Sequence, residues 1–149
     1  MASKSFRPQG LLLQQDNPAG SGGGFTTIAE VKKVDFTGGK ADTADVTNQD
    51  SLGAYREHLP TLLDAGELSF DGNYLGNVDT TQAELQTTFD SQILSSWQIV
   101  LPIPPGEAAS RGTWTFKAYV TSFDPQFPVD KEATFTAKLK ITGPRTFTP

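Results

Sequence analysis

The chain has 149 residues, enough for one domain with a buried core, and combines 36% hydrophobic residues with 14 glycines and 10 prolines, a balance that suits strands and loops better than a helical bundle. Its formal net charge is −5 and its pI is about 4.7, the wrong sign for a protein that grips nucleic acid through its phosphates. There is no cysteine, which excludes disulfide frameworks, thiolate metal sites and thiol catalysis.

Residues 1–10 are polar and end in Pro8 and Gly10, which predicts a mobile arm. The apolar run Leu11–Leu13 is too short for a signal peptide or a membrane span, and Leu11–Gln15 reads as a short strand. DNPAGSGGG at 16–24 completes a flexible N-terminal region over 1–24. It lacks the Lys-Ser/Thr pair and following helix of a phosphate-binding loop. Phe25–Phe36 reads as a strand whose alternation slips around Val31–Lys33, predicting a bulge. Thr37–Pro60 is polar and rich in Asp and Thr. It is expected as a long loop that is either functional or disordered, because structureless loops of that length are uncommon in compact domains.

Ala65–Leu75 alternates, with Leu68, Phe70 and Tyr74 on one face and Glu67, Ser69, Asp71 and Asn73 on the other. Asp79 through Gln82 resembles a capping box, and Leu85, Phe89 and Ile93 behind it form one apolar stripe on a helix over about 80–92. Ser96–Ile103 supplies a strand with Trp97, Ile99, Leu101 and Ile103 on one face, and Pro102 suggests that it ends at a sheet edge. Two strongly alternating strands follow, TWTFKAYVTSF at 113–123 and EATFTAKLKIT at 132–142, then a C-terminal tail at 143–149 that Pro144 holds extended. The expected core comprises Phe70, Leu85, Phe89, Ile99, Leu101, Trp114, Phe116, Phe135, Leu139 and Ile141.

Catalytic and metal readings fare poorly. His58 is the single histidine, and no G-x-S-x-G elbow accompanies any serine. Asp42, Asp45 and Asp50 do not follow EF-hand spacing. Glu67 and Asp71 lie on one strand face but about 13 Å apart by strand rise, too wide for a glycosidase carboxylate pair. The residues predict no enzyme, no metal and no cofactor. A monomeric carbohydrate-binding β-sandwich, stacking sugars on Tyr55, Trp97, Trp114 or Tyr119, is the rival reading.

Three stretches, REHLPTLLDAGELSFDGNYL at 56–75, TWTFKAYVTSFDP at 113–125 and EATFTAKLKITGPRTF at 132–147, occur in an order that resembles the major tail tube proteins of lambda-like, long non-contractile-tailed phages. The resemblance runs over residues 25–147. Contractile-tail tubes and gene-transfer particles would read alike. The closing Lys140-Ile-Thr-Gly-Pro144 places Pro directly after Gly, a departure from the family pattern. A C-terminal immunoglobulin-like domain, present in lambda's protein, is not expected here.

What the resemblance implies is a mainly β protein, an antiparallel β-sandwich or barrel-like tube domain with one flanking helix and a long inter-strand loop. It would be a virion component, made and assembled in the host cytoplasm, forming homo-hexameric rings that stack into a hollow tube. Tape measure, tail tip and tail terminator proteins would be its partners, with double-stranded DNA passing through unbound. The polar stripes Thr113, Thr115, Lys117, Thr134, Thr136, Lys138 and Lys140 are then expected on a functional surface. Glu30, Glu67 and Asp71 are candidates for the lumen. Lys40, Asp42, Asp45, Asn48, Asp50, Tyr55 and Arg56, in the 37–60 loop, are candidates for inter-ring contacts.

Overall fold

The computed structural model describes residues 10–17, 19–21, 24–49, 53, 55–104 and 106–149. Strands β1 (Leu12–Asp16), β2 (Phe25–Thr27), β3 (Val31–Thr37), β6 (Glu67–Asn73), β7 (Ser95–Val100), β8 (Thr113–Gln126) and β9 (Thr134–Thr148) form one antiparallel sheet. Its order is β2-β1-β7-β8-β9-β6-β3. Laid flat, seven strands would set the two edges about 29 Å apart. Yet β2 and β3 are those edges, and only Ile28–Glu30 joins them, a connection that reaches at most about 14 Å. The sheet must therefore curl over on itself. The connection bonds the strand next to each edge, Ile28 N–H donating to the Leu13 carbonyl of β1 at 2.9 Å and Asn73 N–H of β6 to the Glu30 carbonyl at 3.0 Å.

This geometry corrects the reading of Phe25–Phe36 as one strand. The chain leaves one edge, turns at Glu30 with φ 61° and enters the other. The bulge does occur at Val31–Lys33, opposite Gly72. A Cβ on Gly72 would stand 2.2 Å from the Glu30 carbonyl oxygen, so only glycine lets the two backbones approach this closely.

Inside the curl the alternating stripes meet. Leu13, Leu68, Phe70, Trp97, Ile99, Phe116, Val120, Phe135, Leu139 and Ile141 are buried, with Phe70 edge-on to Phe135 at 6.0 Å. Of the expected core, Phe89, Leu101 and Trp114 are only half-buried and pack against it from outside. Helix α1 (Thr80–Ser91) flanks β8, preceded by a 3₁₀ turn at Gly76–Val78. Asp79 is its N-cap, accepting from the N–H groups of Thr81 and Gln82. The Thr81 hydroxyl, first, and then those amides hold the Asp79 carboxyl below its ordinary value.

The helix is tied down by buried polar side chains as much as by its apolar stripe. Gln82 accepts from Leu75 N–H at 2.9 Å and donates to the Ala29 and Asn73 carbonyls at 3.1 and 2.8 Å. It thereby pins the helix to both the edge connection and β6. Gln15 donates to Thr88 at 2.8 Å and to Ser95 at 3.4 Å, joining β1, α1 and β7 in a satisfied internal network.

Two further expectations are revised. Strand β7 lies inside the sheet between β1 and β8, and it stops at Val100, two residues before the proline that cannot donate. The 143–149 tail is mostly strand. β9 continues to Thr148 and pairs Phe147 with Trp114 and Thr146 with Thr115, across an irregularity at 143–145.

Candidate functional site

The longest stretch read as a loop is in fact a hairpin. Strands β4 (Lys40–Asp45) and β5 (His58–Asp64) form a separate two-stranded antiparallel sheet, entered from β3 and left into β6. All of β4 and all of β5 except Asp64 are exposed. Leu59, Leu62 and Leu63 are 57%, 71% and 85% accessible. A bulge between Ala41 and Thr43 pairs Leu63 with Ala41 and Leu59 with Ala44. Positions 41 and 44 face opposite ways on a strand, so the two leucines lie on opposite faces and each face presents apolar surface.

The hairpin leaves the sandwich through a tight crossing. Gly66 has φ +85°, and a Cβ there would lie 2.1 Å from the Thr37 carbonyl oxygen. Asp64 accepts from Gly66 N–H at 2.8 Å and from Lys140 Nζ at 3.3 Å. These bonds, that of Gly66 foremost, hold the Asp64 carboxyl below its ordinary value. At the far end, Thr47 donates to Asp45 and lowers its pKa, while Glu57 N–H donates to the Thr47 hydroxyl at 2.8 Å.

Among the loop candidates, Lys40, Asp42 and Asp45 therefore sit on β4. Asn48, Tyr55 and Arg56 are exposed in the connection between the strands, and Asp50 lies outside the described residues. His58 begins β5, exposed, in register with Asp45. What the loop reading missed are the leucines of β5. The signal was the cluster Leu59, Leu62 and Leu63 in HLPTLLD, whose Pro60 is compatible with an edge strand as well as with a loop.

A second surface is the outer face of β3, β6 and β9. Glu67, Ser69, Asp71 and Asn73 lie on it, as the alternation predicted. Glu67 is in register with Lys140, Ser69 with Lys138 and Asp71 with Lys33. The acids are thus interleaved with lysines, a near-neutral mosaic that the acidic total did not foretell. Asp71 is half-buried in a hollow of about 140 Å³ with Lys33, Asp35, Ser69 and Thr136. Its Oδ1 has no hydrogen-bond partner among the described residues. Glu30 joins this face at its end, its Oε2 accepting from Asn73 Nδ2 at 3.1 Å.

The sugar-stacking reading loses its platform. Trp97 is fully buried, and Trp114 is half-buried beneath Arg145, whose guanidinium lies 5.8 Å from its ring and 4.8 Å from that of Phe36. Tyr55 and Tyr119 are exposed but lie on different elements, the hairpin and β8. Among the described residues no helix is long and apolar enough to cross a membrane, and no His/Asp/Glu group has the make-up of a metal site.

The same architecture occurs in tubular assemblies. The tail of an empty gene transfer agent particle, a C6-symmetric structure, superposes with a TM-score of 0.75 at 24% identity, covering 97% of this chain and 100% of that one. The SPP1 tail tube gives 0.68 at 10% identity over 93% and 76%. The sheath–tube complex of an extracellular contractile injection system gives 0.70 at 14% identity over 99% and 93%. No curated protein sequence matches. The family described as phage tail tube protein matches residues 9–147. A curled sheet, an exposed apolar hairpin and a match along nearly the whole chain lead to one conclusion: this protein belongs to the phage tail tube family and is a structural component of the virion.

Proposed function

We propose that this chain forms hexameric rings that stack into a hollow tail tube, through which double-stranded DNA passes from capsid to host. The observation that carries this is the β4–β5 hairpin. An isolated two-stranded hairpin is marginal in water, and this one exposes leucines on both faces. Burial of such side chains is worth about 1.5–3 kcal/mol each, so neighbouring protomers are the natural source of its stability. The similar gene transfer agent tail has C6 symmetry, and similar chains occur in the sheath/tube terminator of a contractile injection system and in a tube-terminating cap of an anti-feeding prophage, which supports six-fold rings that end on dedicated proteins. A tape measure protein inside the tube and a tip complex complete the set of partners.

The outer face of β3, β6 and β9 is the lumen in this reading, with Glu30, Glu67 and Asp71 on it. A lining of free lysines would bind each phosphate and hold the DNA. Lysines set in register with carboxylates offer no such continuous track, and the polymer slides.

Excising Lys40–Asp64 tests assembly. The excision points are already close, since a Cβ on Gly39 would lie 3.7 Å from the Ala65 carbonyl oxygen. The shortened protein is expected to keep the circular dichroism of the sandwich and to form no tubes by electron microscopy, while the intact chain forms them. Normal tubes from the excised protein would refute the role given to the hairpin. Replacing both Glu67 and Asp71 with Lys should leave tubes intact and slow DNA release from virions. Release at the wild-type rate would remove this face from the lumen.

A further inference from the structure

The ends of the sandwich differ in a way that ring stacking can use. β6 runs from Glu67 at one end to Asn73 at the other, a separation of about 20 Å. At the Glu67 end, beside the hairpin base, lies an open cavity of about 670 Å³. Leu63, Ala65 and Trp114 give it an apolar wall, and Lys40 and Arg145 stand in its lining. Among the described lining residues the one carboxylate, Asp64, is already bridged by Lys140 at 3.3 Å, so the cavity presents an apolar floor with net positive charge.

At the Asn73 end, the β8–β9 turn carries the complement. Val129 is fully accessible and Phe127 is 66% accessible, and Asp130 follows them. This turn is held in place. Phe127 packs edge-on against Tyr74 at 5.6 Å, and Tyr74 N–H donates to the Ala133 carbonyl at 2.9 Å. Held on Phe127, the tip Pro128-Val129-Asp130 is presented with little ordering left to lose on binding.

We propose that the Pro128–Asp130 tip of one protomer inserts into the Trp114–Arg145 cavity of a second copy in the next ring, Val129 against the apolar wall and Asp130 toward Lys40 and Arg145. Because tip and cavity are on opposite ends of one chain, the contact is heterologous and repeats without closing, which generates a filament rather than a dimer. The contact rests on the stacked-ring reading above and names the surfaces that meet between rings.

The absence of native cysteine makes the test direct. Pro144→Cys on the cavity lining and Pro128→Cys on the tip replace exposed side chains and leave Leu63 and Val129 in place, and a disulfide needs Cα atoms within about 7 Å, far less than the distance between the two ends of one sandwich. The doubly substituted protein, assembled and then oxidised, is expected to give a ladder of covalent multimers on a non-reducing gel. Mixed single variants are expected to give only a heterodimer band. Tubes seen by electron microscopy without the ladder would overturn this contact while leaving the tube reading standing. Covalent dimers from either single variant alone, or an intrachain disulfide in the double variant, would also overturn it, the former by showing like ends meeting. Failure of the unsubstituted chain to form rings or tubes would instead overturn the tube reading and this contact together.

Discussion

Two leucine-bearing strands only a few residues apart in the chain meet opposite fates. In β6 and its neighbour β9, Leu68 and Leu139 are fully buried, while in β5 Leu62 and Leu63 are 71% and 85% accessible. Residue type does not separate them. β6 lies between β3 and β9 and shows one face to the core, whereas β5 pairs only with β4. A strand with no sheet behind it has no inside. Its leucines therefore contribute nothing to the folded monomer and are surplus until a partner covers them, which is the physical signature of an assembly element.

Substitutions break this comparison most sharply at its two extremes. Phe135→Ala or Leu139→Ala removes a wholly buried side chain and is expected to cost about 2–5 kcal/mol by transfer and cavity terms. Leu63→Ala should fall within about 0.5 kcal/mol in the monomer yet weaken tube formation. Denaturation midpoints measured on unassembled protein check the first, and tube yield the second. Equal midpoint shifts for Leu139→Ala and Leu63→Ala would erase the distinction between the two strands.

The junction between the regions comes next in size. Gly66→Ala forces a Cβ into the Thr37 carbonyl at φ +85° and is expected to cost about 1–3 kcal/mol. The strain should fall where the hairpin departs, so amide exchange should quicken in β4 and β5 before the β8–β9 ladder. Uniform acceleration across both sheets would show that hairpin and sandwich unfold as one unit.

The smallest effect belongs to the sandwich side alone. Asp79→Ala removes the α1 cap and should cost about 1 kcal/mol at neutral pH. Because the folded carboxyl titrates below its ordinary value of 3.8, its contribution is present above that value and is lost as pH falls through the lower folded value. The difference between wild type and Asp79→Ala should therefore shrink in acid. A gap that stayed constant well below pH 3.8 would mean that the carboxylate does not supply the cap.

Much of this was legible along the chain. The alternation of β6, β8 and β9 and the Asp79 cap with its Leu85 stripe follow from local rules of pleat and helix terminus. The bulge at Val31–Lys33 showed as a slip in alternation. Glu67 and Asp71 were readable as sharing a face, but not their lysine neighbours, since register across strands joins residues far apart in sequence. Arg145 over Trp114 and the cavity beside it depend on an irregularity in β9 opposite β8, which no local pattern announces. Phe127 and Val129 stand in a proline- and acid-rich turn, where no local pattern shows that one packs on Tyr74 and the other points outward.

By itself the sequence determined a cysteine-free, acidic, strand-rich chain with one capped helix and alternating stripes able to build a core, because those properties are set by neighbours within a few residues. Only the tertiary structure decided that Phe25–Phe36 splits between the two edges of a curled sheet, and that the polar 37–60 region and its following leucines form a projecting hairpin. It also decided which apolar residues stay exposed. Burial depends on whether another layer exists behind a strand, and the described residues of the protomer supply none for β5.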